Sequence, residues 1–144
     1  MYAVVDMTPV YLNQVAETKR GIALVDEQYF VVRDEIKALN KPTTVRWNML
    51  TGAIPKILDD HTIQLSMQGK KLLLQIESSA QISIKTWSTT SPNNYDAANP
   101  NTVFVGFEAE LRSGMKETLQ VKLIPEGSKN THKKIQPLKL WKNI

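Results

Sequence analysis

Through most of this chain apolar and polar residues change places at every second position, and that period of two commits it to strands with one face buried. In "HTIQLSMQ" the apolar set is Ile63, Leu65 and Met67, and Thr62, Gln64, Ser66 and Gln68 form the polar set. "KKLLLQIE" places Leu72, Leu74 and Ile76 on one face and Lys71, Gln75 and Glu77 on the other. Only Gly69 and its neighbours separate the two segments, which reads as a hairpin. The pattern continues with Ile82 and Ile84 in "QISIKTW", with Val105, Phe107, Ala109 and Leu111 in "VFVGFEAEL", and with Leu119, Val121 and Leu123 in "TLQVKLI". The glycine turn "RSGMKE" between the last two predicts a second hairpin. Upstream, "KRGIALVD", "YFVVRDEIKA" and "TVRWNML" read as three further strands. "AIPKIL" is a weaker candidate, because Pro55 confines it to an edge or a bulge. Only "TPVYLNQVAE" has helical signals, with Thr8 as N-cap and Pro9 at the first helical position. The expectation is an all-β fold, an antiparallel β-sandwich of about eight or nine strands with at most one short helix. It spans residues 1–125 and leaves residues 126–144 as a basic C-terminal tail.

With 144 residues, 42% of them hydrophobic, the chain can bury one core of single-domain size. No apolar run reaches the roughly 18 residues of a membrane span, and no basic start leads into an apolar stretch with a cleavage site. The absence of cysteine excludes disulfides, zinc ribbons and thiol catalysis. The net charge of +4 is local: residues 1–125 carry 13 basic and 13 acidic side chains, whereas Lys129, Lys133, Lys134, Lys139 and Lys142 face Glu126 alone. Such a tail reads as a solvated terminus, with attraction for an acidic polysaccharide as its functional alternative. Nothing points to a nucleic-acid or membrane partner. The polar segment "STTSPNNYDAANPNT", residues 88–102, is the one long loop, functional or mobile.

No complete catalytic or cofactor site is visible. His61 and His132 are the only histidines. Asp59, Asp60 and His61 form a conceivable ligand cluster, but the same three residues are ordinary β-turn composition, and no metal site is expected. No nucleophile elbow or phosphate loop occurs. Strand parity is more informative. Arg20 shares it with Ile22 and Leu24, and Asp34 shares it with Phe30, Val32 and Ile36, so a hairpin across Asp26 and Glu27 turns both charges toward the core. A buried carboxylate needs a partner, and a structural Arg20–Asp34 ion pair is predicted, with Asp6 as the alternative acid. Trp47 has core parity beside Val45 and Met49, with Arg46 facing out. Trp87 ends a strand on the polar parity and leads into the loop carrying Tyr95. Trp87, Tyr95 and Arg46 are therefore the candidate substrate-binding residues, aromatic faces suited to sugar rings. The plainer reading packs Trp87 under its own loop. Trp141 is expected to dock on the body as a strand or anchor.

"YAVVDMTPVY", "KRGIALVDEQYFVVRDEI", "VRWNMLTG", "GKKLLLQIES" and "LQVKLIP" follow one another in the order and spacing of the C-terminal β-sandwich of heparinase II/III-like polysaccharide lyases. This resemblance covers about residues 2–125. It rests on Asp6-Met7-Thr8 with Tyr11, then Arg20, then the Asp34-Glu35 pair closing an apolar strand. It implies a large, exported enzyme, periplasmic or secreted, in which an N-terminal α/α toroid precedes the sandwich. Such lyases cleave uronic-acid polysaccharides by β-elimination: a Tyr or His base takes the proton beside a neutralised carboxylate. The family's catalytic residues and metal ligands lie before the part matched here, and none carries over to a position in this chain. Relatives often have His where this sequence has Leu50 before Thr51.

The resemblance makes "VVDMTPVYLNQV" an internal stretch, so the chain is expected to be a fragment, with a truncated gene product as the alternative, inactive alone and belonging to a lyase that acts on an acidic polysaccharide. The alternative is a self-standing carbohydrate-binding module for an acidic glycan. A third reading is an assembly domain whose open sheet edge supports an edge-to-edge homodimer.

Overall fold

The computed structural model describes residues 1–141. It is all-β, with ten strands and two single 3-10 turns. The strands are β1 (Tyr2–Asp6), β2 (Glu17–Val25), β3 (Tyr29–Lys37), β4 (Thr43–Thr51), β5 (Ile54–Asp59), β6 (Thr62–Met67), β7 (Lys70–Ser78), β8 (Gln81–Trp87), β9 (Val103–Leu111) and β10 (Lys116–Pro125). They form two antiparallel sheets, a seven-stranded one of order β1-β2-β3-β10-β7-β6-β5 and a three-stranded one of order β4-β9-β8.

The period of two builds the interior between the sheets. Ile36, Ile63, Leu65, Leu74, Ile76, Leu119 and Val121 of the larger sheet meet Trp47, Val105, Phe107, Ala109 and Leu111 of the smaller one. Trp47 stacks on Phe107 with ring centroids 5.7 Å apart and planes 8° from parallel. Gln68 and Gly69 supply the positive φ angles, 49° and 74°, that turn β6 into β7. Asp26 and Glu27, at φ 48° and 55°, do the same between β2 and β3.

Three details depart from the sequence reading. The strand absent from the expectation is β1, whose five residues are all exposed and show no alternation. The segment expected to be a helix makes one 3-10 turn, Thr8–Tyr11, with Met7 rather than Thr8 at its N-cap. The Thr8 hydroxyl instead accepts the backbone N–H of Thr18 at 3.0 Å, tying the turn to β2. Finally, β9 and β10 are not a hairpin, because they lie in opposite sheets. Gly114, at φ 67°, turns a crossover between layers.

Residues 126–141 do not hang free. Ile135, Leu138 and Trp141 are buried with Ala23, Val25, Tyr29, Val31 and Ile124 in a second cluster on the outer face of the larger sheet. Trp141 is an anchor beside the 3-10 turn Leu138–Leu140, not part of a strand. Lys129, Lys133, Lys134 and Lys139 are exposed around it. Lys142 and the last two residues of the tail lie outside the described residues.

Candidate functional site

The outer face of the three-stranded sheet carries a cluster of charged and aromatic side chains. Register places Arg46 opposite Glu108 on β9, and Ser83 of β8 on the other side of Glu108. The Arg46 guanidinium donates to Glu108 Oε1 from Nη2 at 3.0 Å and from Nε at 3.3 Å. Lys85 Nζ donates to the other oxygen of the same carboxylate. Lys85 first, then Arg46, hold the Glu108 carboxyl below its ordinary value. Arg46 also lies over the Trp87 ring, 4.5 Å from its centroid, a cation–π contact. Gly106 lies between Asn48 and Lys85 in register, so no side chain from β9 stands in that row.

Of the three candidate binding residues, the structure brings together Arg46 and Trp87. Tyr95 is 81% exposed in loop 88–102 and forms no ring contact with Trp87. Trp87 is half-buried, and one face of its ring is taken by Arg46 rather than open for a sugar. Glu108 was missed as the hub of this cluster. Its own strand showed only that it faces outward, and the register with β4 and β8 that brings two cations to it is not written in any single segment.

A second cluster lines a pocket of about 190 Å³ between β4, the 3-10 turn Thr8–Tyr11 and the inner face of β2 and β3. Arg20 and Asp34 meet there in a bidentate pair, Nε to Oδ1 at 2.7 Å and Nη2 to Oδ2 at 2.8 Å. The hydrogen bonds to Asp34 raise the Arg20 pKa above its ordinary value. Asp6 takes no side of this pair. It accepts the Thr8 backbone N–H at 2.9 Å, and that hydroxyl-bearing residue lowers its pKa.

Asp59, Asp60 and His61 form the β5–β6 turn, where Asp59 Oδ1 accepts the His61 backbone N–H at 2.8 Å. Among the described residues no group of three or more His, Asp or Glu side chains is placed to hold a metal ion. The acids with buried surroundings are already partnered. Glu117 accepts from Arg112 at 2.8 Å and from Ser79 at 2.6 Å. Glu35 accepts from Arg33 at 3.2 Å and from the Leu138 N–H at 2.8 Å. Both carboxylates are thus engaged in contacts that fix the packing around them.

No protein-family description and no curated protein matches this sequence. The fold, however, is found within solved polysaccharide-lyase structures. A heparinase III crystal structure superposes with a TM-score of 0.63 at 13% identity, covering 86% of this chain and 19% of that one. A second heparinase III gives 0.61 at 21% identity over the same shares. The heparan sulfate lyase HepC of Pedobacter heparinus gives 0.50 at 14% identity, with 86% of this chain and 20% of that one covered. The two-sheet fold is thus one that heparinase III structures contain, and this chain spans about a fifth of their length. Among the described residues no helix is long and apolar enough to cross a membrane.

Proposed function

We propose that residues 1–125 are the distal part of the C-terminal, non-catalytic β-sandwich of a heparinase II/III-like polysaccharide lyase, and that the sandwich supports an N-terminal toroid of the same protein. The observation behind this is the match of 86% of this chain to only 19% of a heparinase III. On this reading the parent enzyme is periplasmic or secreted and cleaves a uronic-acid polysaccharide by β-elimination. This chain contributes neither catalytic residue nor cofactor. The mutual saturation of its charged groups supports that division of labour: Glu108, Asp34, Glu35 and Glu117 each already hold a cation. The test is an immunoblot of the native source with an antibody against this chain, beside a lyase assay of the purified chain on heparan sulfate. A band several times heavier than 16.3 kDa and no ultraviolet-absorbing unsaturated product from the chain alone are expected. A band at that mass, or product from the isolated chain, overturns the reading.

The second reading, a self-standing module for an acidic glycan, draws on Arg46, Lys85 and Trp87 sharing one exposed face. Against it stands Glu108, whose single carboxylate engages both cations and offsets one of their two charges. Salt-sensitive binding to heparan sulfate that is lost in Trp87→Ala would establish this module; no binding at low salt removes it.

A further inference from the structure

On the outer face of the larger sheet, register lays the side chains of β6, β7 and β10 out in rows. One row reads Thr62, Gln75, Lys122, and the next Gln64, Leu73, Ile124. Their neighbours in sequence, Ile63, Leu65, Leu74 and Ile76, face the interior. Beyond β10 the chain turns at Gly127, φ 88°, and the following residues form a wall along that face. Sheet and wall enclose a groove of about 460 Å³, within the roughly 300–1,000 Å³ usual for small-molecule sites. Thr62, Gln64, Gln75 and Lys71 line its sheet side, Ser128, Thr131 and His132 its wall, and Leu73 and Ile124 supply apolar surface.

The wall is pinned at both ends. Ser128 Oγ donates to the Gln28 carbonyl at 2.9 Å, and the Lys129 N–H donates to Gln28 Oε1 at 3.2 Å. Lys122, its side chain only 4% exposed, donates to the Thr131 carbonyl at 3.1 Å and holds Glu77 Oε1 at 2.6 Å. The Gln120 amide donates to the other Glu77 oxygen at 2.7 Å, and its carbonyl accepts from Arg33 Nη1 at 3.1 Å. Arg33 in turn holds Glu35, which accepts the Leu138 N–H. One polar chain across β7, β10 and β3 therefore joins the wall at Thr131 to the anchor at Leu138. A ligand entering such a groove meets a surface already ordered, which lowers the cost of binding.

The lining selects a class of ligand. Two primary amides and a hydroxyl on the sheet side offer donors and acceptors together, as vicinal sugar hydroxyls require, and Leu73 with Ile124 suits the C–H face of a pyranose ring. Among the described residues no Phe, Tyr or Trp lines the groove, which disfavours a stacked nucleobase. Glu126 offsets Lys71 within the lining. The positive surplus comes from the wall, where Lys129, Lys133 and Lys134 are exposed and Lys133 alone holds an acid, Asp26 at 3.2 Å. That surplus favours an acidic saccharide over a neutral one.

We propose that this groove is a binding subsite for a short stretch of acidic saccharide, its ring on Leu73 and Ile124 and its hydroxyls on Thr62, Gln64 and Gln75. Lys71 and Gln75 lie four residues apart on β7, about 14 Å, which gives a disaccharide room to lie along the strand. Its acid groups face Lys71 at one end and the wall cations beside Thr131 at the other. The subsite is separate from Arg46, Lys85 and Trp87, which belong to the other sheet. It rests on the lyase reading only in taking a uronate as the acid.

The test titrates the full chain, labelled with nitrogen-15, with a heparan sulfate tetrasaccharide. Maltotetraose serves as the neutral comparison and sodium sulfate at matched ionic strength as the bare anion. Saturable shifts are expected at the side-chain amides of Gln64 and Gln75 and the backbone amides of Gly127, Ser128 and Thr131. Gln75→Ala and Lys71→Ala should each weaken binding about fivefold or more, the loss of one hydrogen bond. Lys41→Ala, which removes the same charge from the β3–β4 connection, should leave it unchanged. The amide spectrum shows that each variant keeps its fold, and two positions guard against one failing. No saturable shift, shifts confined to the Arg46 face, equal shifts with sulfate or maltotetraose, or equal weakening by Lys41→Ala would each overturn the proposal. A heavy immunoblot band without shifts in the groove sinks the subsite and leaves the lyase reading standing; a band at 16.3 kDa with those shifts does the reverse.

Discussion

Gly21 of β2 lies directly beneath the indole of Trp141: a β-carbon at Gly21 would come 2.3 Å from Leu138 Cδ2 and 2.6 Å from Trp141 Cζ3. The strand has no side chain at this point because the C-terminal segment occupies the space one would fill. Gly21→Val should therefore lift Leu138 and Trp141 off the sheet and cost about 1–3 kcal/mol, the usual penalty of overpacking. Urea midpoints and tryptophan emission check it, with Trp141→Phe identifying the share of the signal that shifts to the red. Unchanged emission would show that the segment is not held by this contact.

The Arg20–Asp34 pair predicts an asymmetry between single and double variants. The Asp34 side chain is 6% exposed and that of Arg20 35%, so solvent reaches the cation but hardly the carboxylate. Arg20→Met leaves the buried carboxylate without its partner and should cost roughly 2–3 kcal/mol, below the full price of a wholly buried pair because Arg20 is partly screened. Arg20→Met with Asp34→Leu should recover a large part of that loss. Guanidinium denaturation of the three proteins decides it, and a double variant no better than the single one would refute the buried-charge account.

Acid should loosen the C-terminal segment before the core. Burial alone would raise the Glu35 carboxyl, but the Leu138 N–H, Arg33 and Lys116 outweigh it and hold the pKa below the ordinary 4.5. Burial likewise opposes, and Arg112 and Ser79 overcome, at Glu117, which is also lowered from 4.5. A lowered folded pKa stabilises the fold above the unfolded value, and that contribution is lost as pH falls through the folded value. Thermal midpoints should hold above about pH 5 and fall progressively below it. Glu35→Gln should flatten that fall and remove the acid-induced change in Trp141 emission. A profile identical to the wild type would exclude Glu35 as the group responsible.

Tyr29 points the other way, toward a stabilising substitution. The side chain is fully buried, and its hydroxyl meets no hydrogen-bond partner among the described residues. Burial first, then the charges of Asp26 and Glu77, push its pKa above 10.0. An unpaired buried hydroxyl costs about 1–3 kcal/mol, so Tyr29→Phe should raise stability by about 1 kcal/mol after cavity effects. Because a raised folded pKa means stability is lost as pH climbs above the unfolded value, the variant should also resist alkali better. Lower stability in Tyr29→Phe would reveal a partner for the hydroxyl.

What the sequence made legible, and what it hid, follows from the range of the interactions involved. The inward faces of β6, β7, β8, β9 and β10 can be read from parity because each strand carries its own record of burial. Arg20 and Asp34 can be paired for the same reason, since they lie across one short turn. The assignment of strands to sheets is not recorded locally. Gly114 marks a turn whether the chain folds back beside β9 or crosses to the other layer, and Leu111 and Leu119 face the same interior in either case. The strand β1 escaped because it is exposed on both faces, so burial left no alternation in "YAVVD". At the candidate site, Arg46 and Trp87 were each visible as outward residues, but the carboxylate of Glu108 that joins Arg46 to Lys85 depends on two registers at once.

Gly106 tests how tightly that register is set. It faces Asn48 on one side and Lys85 on the other, and a β-carbon there would lie 2.0 Å from the Trp47 carbonyl oxygen and 2.9 Å from Asn48 Cα. Both obstacles are backbone, which cannot swing aside as a side chain can. Gly106→Ala must therefore push β4 away from β9, disturbing the Trp47–Phe107 stack beneath and the Arg46–Glu108 pair above. The expected loss is about 3 kcal/mol, at the upper end for overpacking because no rotamer change relieves it. Amide exchange should locate the damage, with protection falling along β4 and β9 while β3 and β10 keep theirs. A stable Gly106→Ala protein with unaltered exchange in β4 would mean that the two strands have room to part, and that the edge of β4 is less firmly seated than its register implies.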